Sequence, residues 1–233
     1  MDTLHVLSGG AAQGLVVQLQ EQFAARHGCK IEGTFGPVGL MREKLLAGEP
    51  CDVMILTGEQ ISQLASKGQM RPNSARALGR VKTGVAVKAS APLPPVETSK
   101  ALEALLRKAE GIYFPDPQKA TAGIHFMKVL RTLGLDQERA AHLRPFPNGV
   151  TAMREMAAAP GDSLVGCTQV TEILYTPGVK LAGVLPDKFE LATIYTAAVC
   201  SRSAQPAAAA ALIELLAGNE SATLRRQGGF DAA

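Results

Sequence analysis

Short apolar runs alternate with longer amphipathic segments almost from one end of this chain to the other. Strands flanked by helical segments in this rhythm fit a parallel sheet covered by helices, so the fold class expected is α/β. LHVLS reads as the first strand, and Val16, Leu19 and Phe23 then mark one face of a helix that Gly28 ends. KIEGTF is a second strand leading into the short helix of GPVGLMREKLLAG, and DVMILT is a third, followed by the helix EQISQLASKGQ.

After the Pro-rich connection SAPLPPVETSK a new alternating unit begins. It holds the helix SKALEALLRKAE, the strand GIYFPDP, the helices TAGIHFMKVLRTLG and NGVTAMREMAAA, and the strands SLVGCTQ and VKLAGVLP. Two long extended runs, near residues 80–88 and 191–200, read as two crossings between lobes. The expected organisation is a discontinuous first lobe of residues 1–83 plus 197–233, completed by the C-terminal helices, and a second lobe of residues 84–196. A length of 233 residues and a hydrophobic fraction of 46% supply material for a sizeable core in each.

Charge excludes one large class of partner. The net +3 comes from 24 basic and 21 acidic side chains spread along the chain, and aromatic residues are only 4%, so the basic stripe with stacking residues of a nucleic-acid surface is missing. No apolar run approaches the roughly 20 residues of a membrane span. The N-terminus enters a strand directly, without the pattern of an export signal. The expectation is a cytoplasmic protein if Met1 is native and a periplasmic one if a leader has been removed. Cys29, Cys51, Cys167 and Cys200 share no zinc-type spacing, so no metal is expected; the spacing asks for no disulfide, and Cys51 and Cys200 read as buried thiols.

Ligands of open α/β sheets bind where strand ends lead into helices, and four such junctions here are built of small residues. They are SGGAAQG with Ser8, Gly10 and Ala11, GPVGL with Val38 and Gly39, KATAGIH with Thr121 and Ala122, and NGVTAM with Val150. The polar cluster CTQVTE adds Thr168, Gln169, Thr171 and Glu172. Helix first turns carry unpaired N–H groups that small side chains leave accessible, which suits a small anionic ligand. Neither GxGxxG nor GxxxxGK[ST] occurs, and no cofactor is expected. The acid–base candidates are Glu172 and His125, the latter disfavoured as a cation near a helix N-terminus. Cys167 lacks any nucleophile-elbow context.

Taken in order, VLSGGAAQGLVVQLQEQF, FGPVGLMREKLLAGEPCDVMIL, DPQKATAGIHFMKVLRTLG, NGVTAMREM and GVLPDKFELATIYTAAV resemble the molybdate-binding proteins of ABC importers over nearly the whole chain. The resemblance implies a solute-binding protein that captures a small oxyanion or carboxylate without catalysis, in the two-lobed type 2 periplasmic-binding-protein fold, with a ligand cleft between lobes that close by hinge motion, and an ABC permease as partner if the protein is exported. It also implies site positions. The family's first serine falls on Ala11, its serine-rich second loop on Pro37 to Gly39, its amide donors on Ala122 and Val150, and its tyrosine near Gln169. Each missing hydroxyl bond to a charged oxyanion forfeits roughly 1.5–3 kcal/mol. A divergent branch that includes aconitate-isomerase-like proteins implies an alternative: a cofactor-free isomerase of an unsaturated di- or tricarboxylate. In that case Glu172 or His125 is the base, and Arg42, Arg154 or Lys119 holds carboxylates.

Overall fold

The computed structural model describes residues 2–232. The chain divides into two compact units, one running up to Val81 and resuming at Thr193, the other Lys82–Ala192.

In the first unit β1 (Asp2–Gly9) pairs in parallel with β2 (Cys29–Gly36) and with β3 (Val53–Thr57), and β3 pairs antiparallel with β9 (Ala192–Val199). The crossover helix α1 (Gln13–His27) buries Leu15, Val16, Leu19 and Phe23 and closes where Gly28 takes φ 63°, a left-handed cap that glycine adopts without strain. Three further helices cover this sheet: α2 (Val38–Leu46), α3 (Gly58–Ser66) and α9 (Pro206–Ala217). Their apolar faces join Leu4, Val6, Met54, Ile55 and Leu56 in one core.

The second unit contains β4 (Arg76–Lys88) from Lys82 onward, β5 (Gly111–Pro115), β6 (Leu143–Phe146), β7 (Leu164–Gln169) and β8 (Val179–Val184). Strand β5 is parallel to both β6 and β7, while β4 is antiparallel to β7 and β8. The two-residue period of the strands splits the core between the two faces of this sheet. Phe114, Val165 and Cys167 pack with α4 (Ser99–Lys108) and α5 (Thr121–Thr132) on one face. Tyr113 and Leu164 pack with α7 (Gly149–Ala158) and α8 (Val170–Tyr175) on the other. The short strand β6 and helices α6 (Leu135–Glu138) and α8 carry too little apolar periodicity to be read from sequence. A last helix, α10 (Ala222–Gln227), leads to the end of the first unit, where Arg80 and Asp231 exchange backbone hydrogen bonds. Among the described residues no helix is long and apolar enough to cross a membrane.

Candidate functional site

Parallel strands send their carboxyl ends to one edge of a sheet, and each unit gathers its helix mouths there. In the first unit β1 runs into a 3-10 turn, Gly10–Ala12, and β2 runs through Pro37 into α2. Neither helix start has a side-chain cap. Ser8 is fully buried, and its hydroxyl donates to the Gly9 carbonyl at 2.9 Å. Ala11 and Val38 are buried as well, while Gly10 and Gly39 are half-buried. The two mouths touch: a Cβ at Gly9 would stand 2.8 Å from Val38 Cγ1 and 3.1 Å from the Tyr195 ring. Farther along α2, Arg42 has a buried Nε with no partner among the described residues.

In the second unit α5, α7 and α8 follow β5, β6 and β7, so three helices start at the same sheet edge. The loop into α5 is shaped by Asp116, whose carboxylate accepts from the Gln118 and Lys119 amides. Ala120, the residue before α5, offers no side-chain cap. Thr121 and Ala122 open the helix, and Gly123 lies so close to the end of β5 that a Cβ would stand 2.2 Å from the Pro115 carbonyl oxygen. Helix α7 is capped by Asn148, whose side-chain oxygen accepts from the Thr151 amide at 2.8 Å. Gly149 and Val150 follow it, both buried.

The third mouth gathers four buried polar side chains. Thr168 and Gln169 end β7, and Thr171 and Glu172 lie in the first turn of α8; all four are buried. The Thr168 hydroxyl donates to Glu172 Oε2. This carboxyl rests against the start of α7 at Gly149, where a Cβ would come within 2.0 Å of Glu172 Oε2 and 2.1 Å of Thr168 Oγ1. Only a residue without a side chain leaves room for that seat. Burial pushes the Glu172 carboxyl up from its ordinary 4.5 to about 7, against the opposing hydrogen bonds from the Thr168 side chain and the Gln169 backbone. Gln169 is 3% exposed, yet neither its Nε2 nor its Oε1 has a partner among the described residues, and the same holds for Thr171 Oγ1. Leaving a buried polar group unpaired costs about 1–3 kcal/mol, so a side chain held this way is suited to meet an incoming polar ligand.

Several other candidates sit elsewhere. His125 is the fifth residue of α5, and its Nε2 meets the Phe189 carbonyl at 2.8 Å, a contact that calls for the Nε2–H tautomer. Cys167 faces the opposite side of β7 from Thr168, inside the apolar core, and burial holds its thiol well above the ordinary range. Lys119 and Arg154 are exposed. Among the described residues no group of three or more His, Cys, Asp or Glu could hold a metal ion. Gly149 escaped the sequence reading: NG before a helix signals a cap, and nothing in the sequence announces that a carboxyl from α8 will lean on it.

Comparison with known proteins settles the family. The model of a family described as bacterial extracellular solute-binding protein matches residues 4–231. The chain belongs to that family. Among its relatives, an aconitate isomerase from Pseudomonas sp. is 28% identical over 226 residues, spanning 94% of this chain and 84% of that protein. The periplasmic molybdate-binding protein of Azotobacter vinelandii superposes with a TM-score of 0.81 at 21% identity, covering 99% of both chains. A sulfate-binding protein of Mycobacterium tuberculosis gives 0.73 at 17% identity, covering 99% of this chain and 86% of that one. These likenesses establish that this family member has the fold of the periplasmic binding proteins.

Proposed function

We propose that this protein binds a small unsaturated di- or tricarboxylate and isomerises it by moving a proton, with Glu172 as the acid–base group. The observation that carries this reading is the buried Glu172 carboxyl, seated on Gly149 and titrating at about 7. A group with that affinity can take a proton and give it back near neutral pH, whereas an ordinary carboxylate is too weak a base to do so efficiently. The likeness to an aconitate isomerase over nearly the whole chain supports the same chemistry.

For a substrate of that class the step is balanced without a cofactor. Glu172 as carboxylate removes a proton from the methylene carbon, the electron pair moves through the adjacent double bond, and Glu172 as carboxylic acid returns the proton to the former vinyl carbon. The double bond has shifted and its geometry can change. Negative charge that builds on a substrate carboxylate during this transfer is offset by N–H groups at the starts of α5 and α7, including those of Ala122 and Val150. Gln169 offers both a donor and an acceptor to a second carboxylate or its water.

A second reading keeps the binding and drops the chemistry. The family and the likeness to molybdate- and sulfate-binding proteins favour a solute receptor, working in the periplasm with an ABC permease. The two are separated by a thermal-shift screen of the purified protein against cis- and trans-aconitate, citrate, smaller dicarboxylates, molybdate, tungstate and sulfate, followed by proton NMR of every ligand that binds. The proposal expects aconitate to raise the midpoint and to interconvert between its two forms. A shift with molybdate or tungstate alone would retire it in favour of the receptor.

A further inference from the structure

Two of the four cysteines meet in the first unit, and what they do is independent of the role given to Glu172 in the second. Cys51 Sγ lies 3.2 Å from Cys200 Sγ, although 149 residues separate them. All four cysteines are free thiols, so this is a contact between two sulfurs that bear hydrogen. The backbone around the pair is pinned. The Cys200 amide donates to the Asp52 carbonyl at 2.9 Å, the His5 amide donates to the Asp52 carboxylate at 2.8 Å, and the Ser203 hydroxyl donates to the same carboxylate at 2.6 Å. These bonds fix the end of β9 against the entry to β3 whatever the state of the sulfurs.

We infer that Cys51 and Cys200 form a redox-active pair that closes to a disulfide in an oxidising compartment and thereby staples the C-terminal part of the first unit to its N-terminal part. A disulfide needs its sulfurs at about 2.05 Å, so closing the gap takes little more than side-chain rotation on a backbone already held in place. Access is provided by a recess of about 190 Å³ that both cysteines line together with Leu45, Gly48, Gln69 and Ser201. Cys51, 9% exposed against 2% for Cys200, is the sulfur an oxidant reaches first.

The chemistry is thiol–disulfide exchange with a disulfide-bearing oxidant, either a small molecule or a protein dithiol in its oxidised form. Cys51, after losing its proton, attacks one sulfur of the oxidant and releases the other as a thiol. Cys200, after losing its own proton, attacks Cys51 Sγ in the mixed disulfide and releases the second thiol. Two electrons and two protons pass to the oxidant, and one S–S bond forms in the protein. A bridge across so long a loop restricts the unfolded chain strongly.

The test uses the full chain, reduced and then equilibrated with oxidised glutathione while folded, followed by denaturation and alkylation. The expected product is lighter by two hydrogens, exposes two alkylatable thiols instead of four, and yields a linked peptide pair containing Cys51 and Cys200. Its thermal midpoint should rise by roughly 5–10 °C over the reduced protein. The variant Cys29→Ser/Cys167→Ser should retain the bridge and the shift, and Cys51→Ser should lose both. Four free thiols after equilibration, a bridge that involves Cys29 or Cys167, or a bridge that forms only in urea would each overturn the inference.

Discussion

The strongest quantitative consequence concerns Glu172→Gln and the pH dependence of folding. In the folded protein the Glu172 carboxyl titrates at about 7 because burial penalises its charge, against 4.5 when unburied. The folded state therefore holds a proton that the unfolded state has released between those two values, and stability falls as pH rises through that interval. The contribution is fully present below about pH 4.5 and lost above about pH 7, and the interval amounts to about 3 kcal/mol. Glutamine keeps an oxygen that can accept the Thr168 hydroxyl and carries no titrating group. Urea unfolding of both proteins across the range from about pH 4.5 to about pH 8 gives the difference directly, because every other titrating group cancels in the comparison. The variant should gain about 3 kcal/mol relative to the parent over that range. Parallel profiles for the two proteins would show that Glu172 is neither buried nor raised in the way described.

Gly149→Ala should destabilise the protein by about 1–3 kcal/mol, since the new methyl enters the space of the Glu172 and Thr168 oxygens. The cost should shrink in a Glu172→Ala background, a non-additivity that a double-mutant cycle measures by denaturant unfolding. Gln169→Leu should raise the stability of the unliganded protein by about 1 kcal/mol by removing unpaired buried groups, while weakening carboxylate binding in calorimetry. A loss of stability with unchanged affinity would assign that side chain a structural role.

Much of the architecture is legible in the sequence because the strands are apolar runs and the long helices carry one apolar stripe each. Phe23 on α1 and Phe126 on α5 are buried as their periodicity requires. The small residues at the strand ends are legible as helix starts, three of them without a side-chain cap and that of α7 capped by Asn148. What escapes is set by contacts between distant segments. The seat of Glu172 on Gly149 joins the mouth of α7 to that of α8, and the pairing of Cys51 with Cys200 joins sulfurs far apart in the chain. Local pattern carries no information about either. Cysteine spacing predicts zinc sites and redox motifs that are close in sequence, and it is silent about a pair brought together by antiparallel strands β3 and β9.

The central claim is that Glu172 moves a proton on a bound carboxylate. Incubating cis- and trans-aconitate with the protein in deuterated water and following the methylene and vinyl protons by NMR tests this most directly. The account predicts protein-dependent loss of those signals together with cis–trans interconversion, both suppressed at least ~100-fold in Glu172→Gln, the scale of a lost general acid–base group. Exchange that persists unchanged in that variant, or aconitate that binds without any exchange, would contradict it.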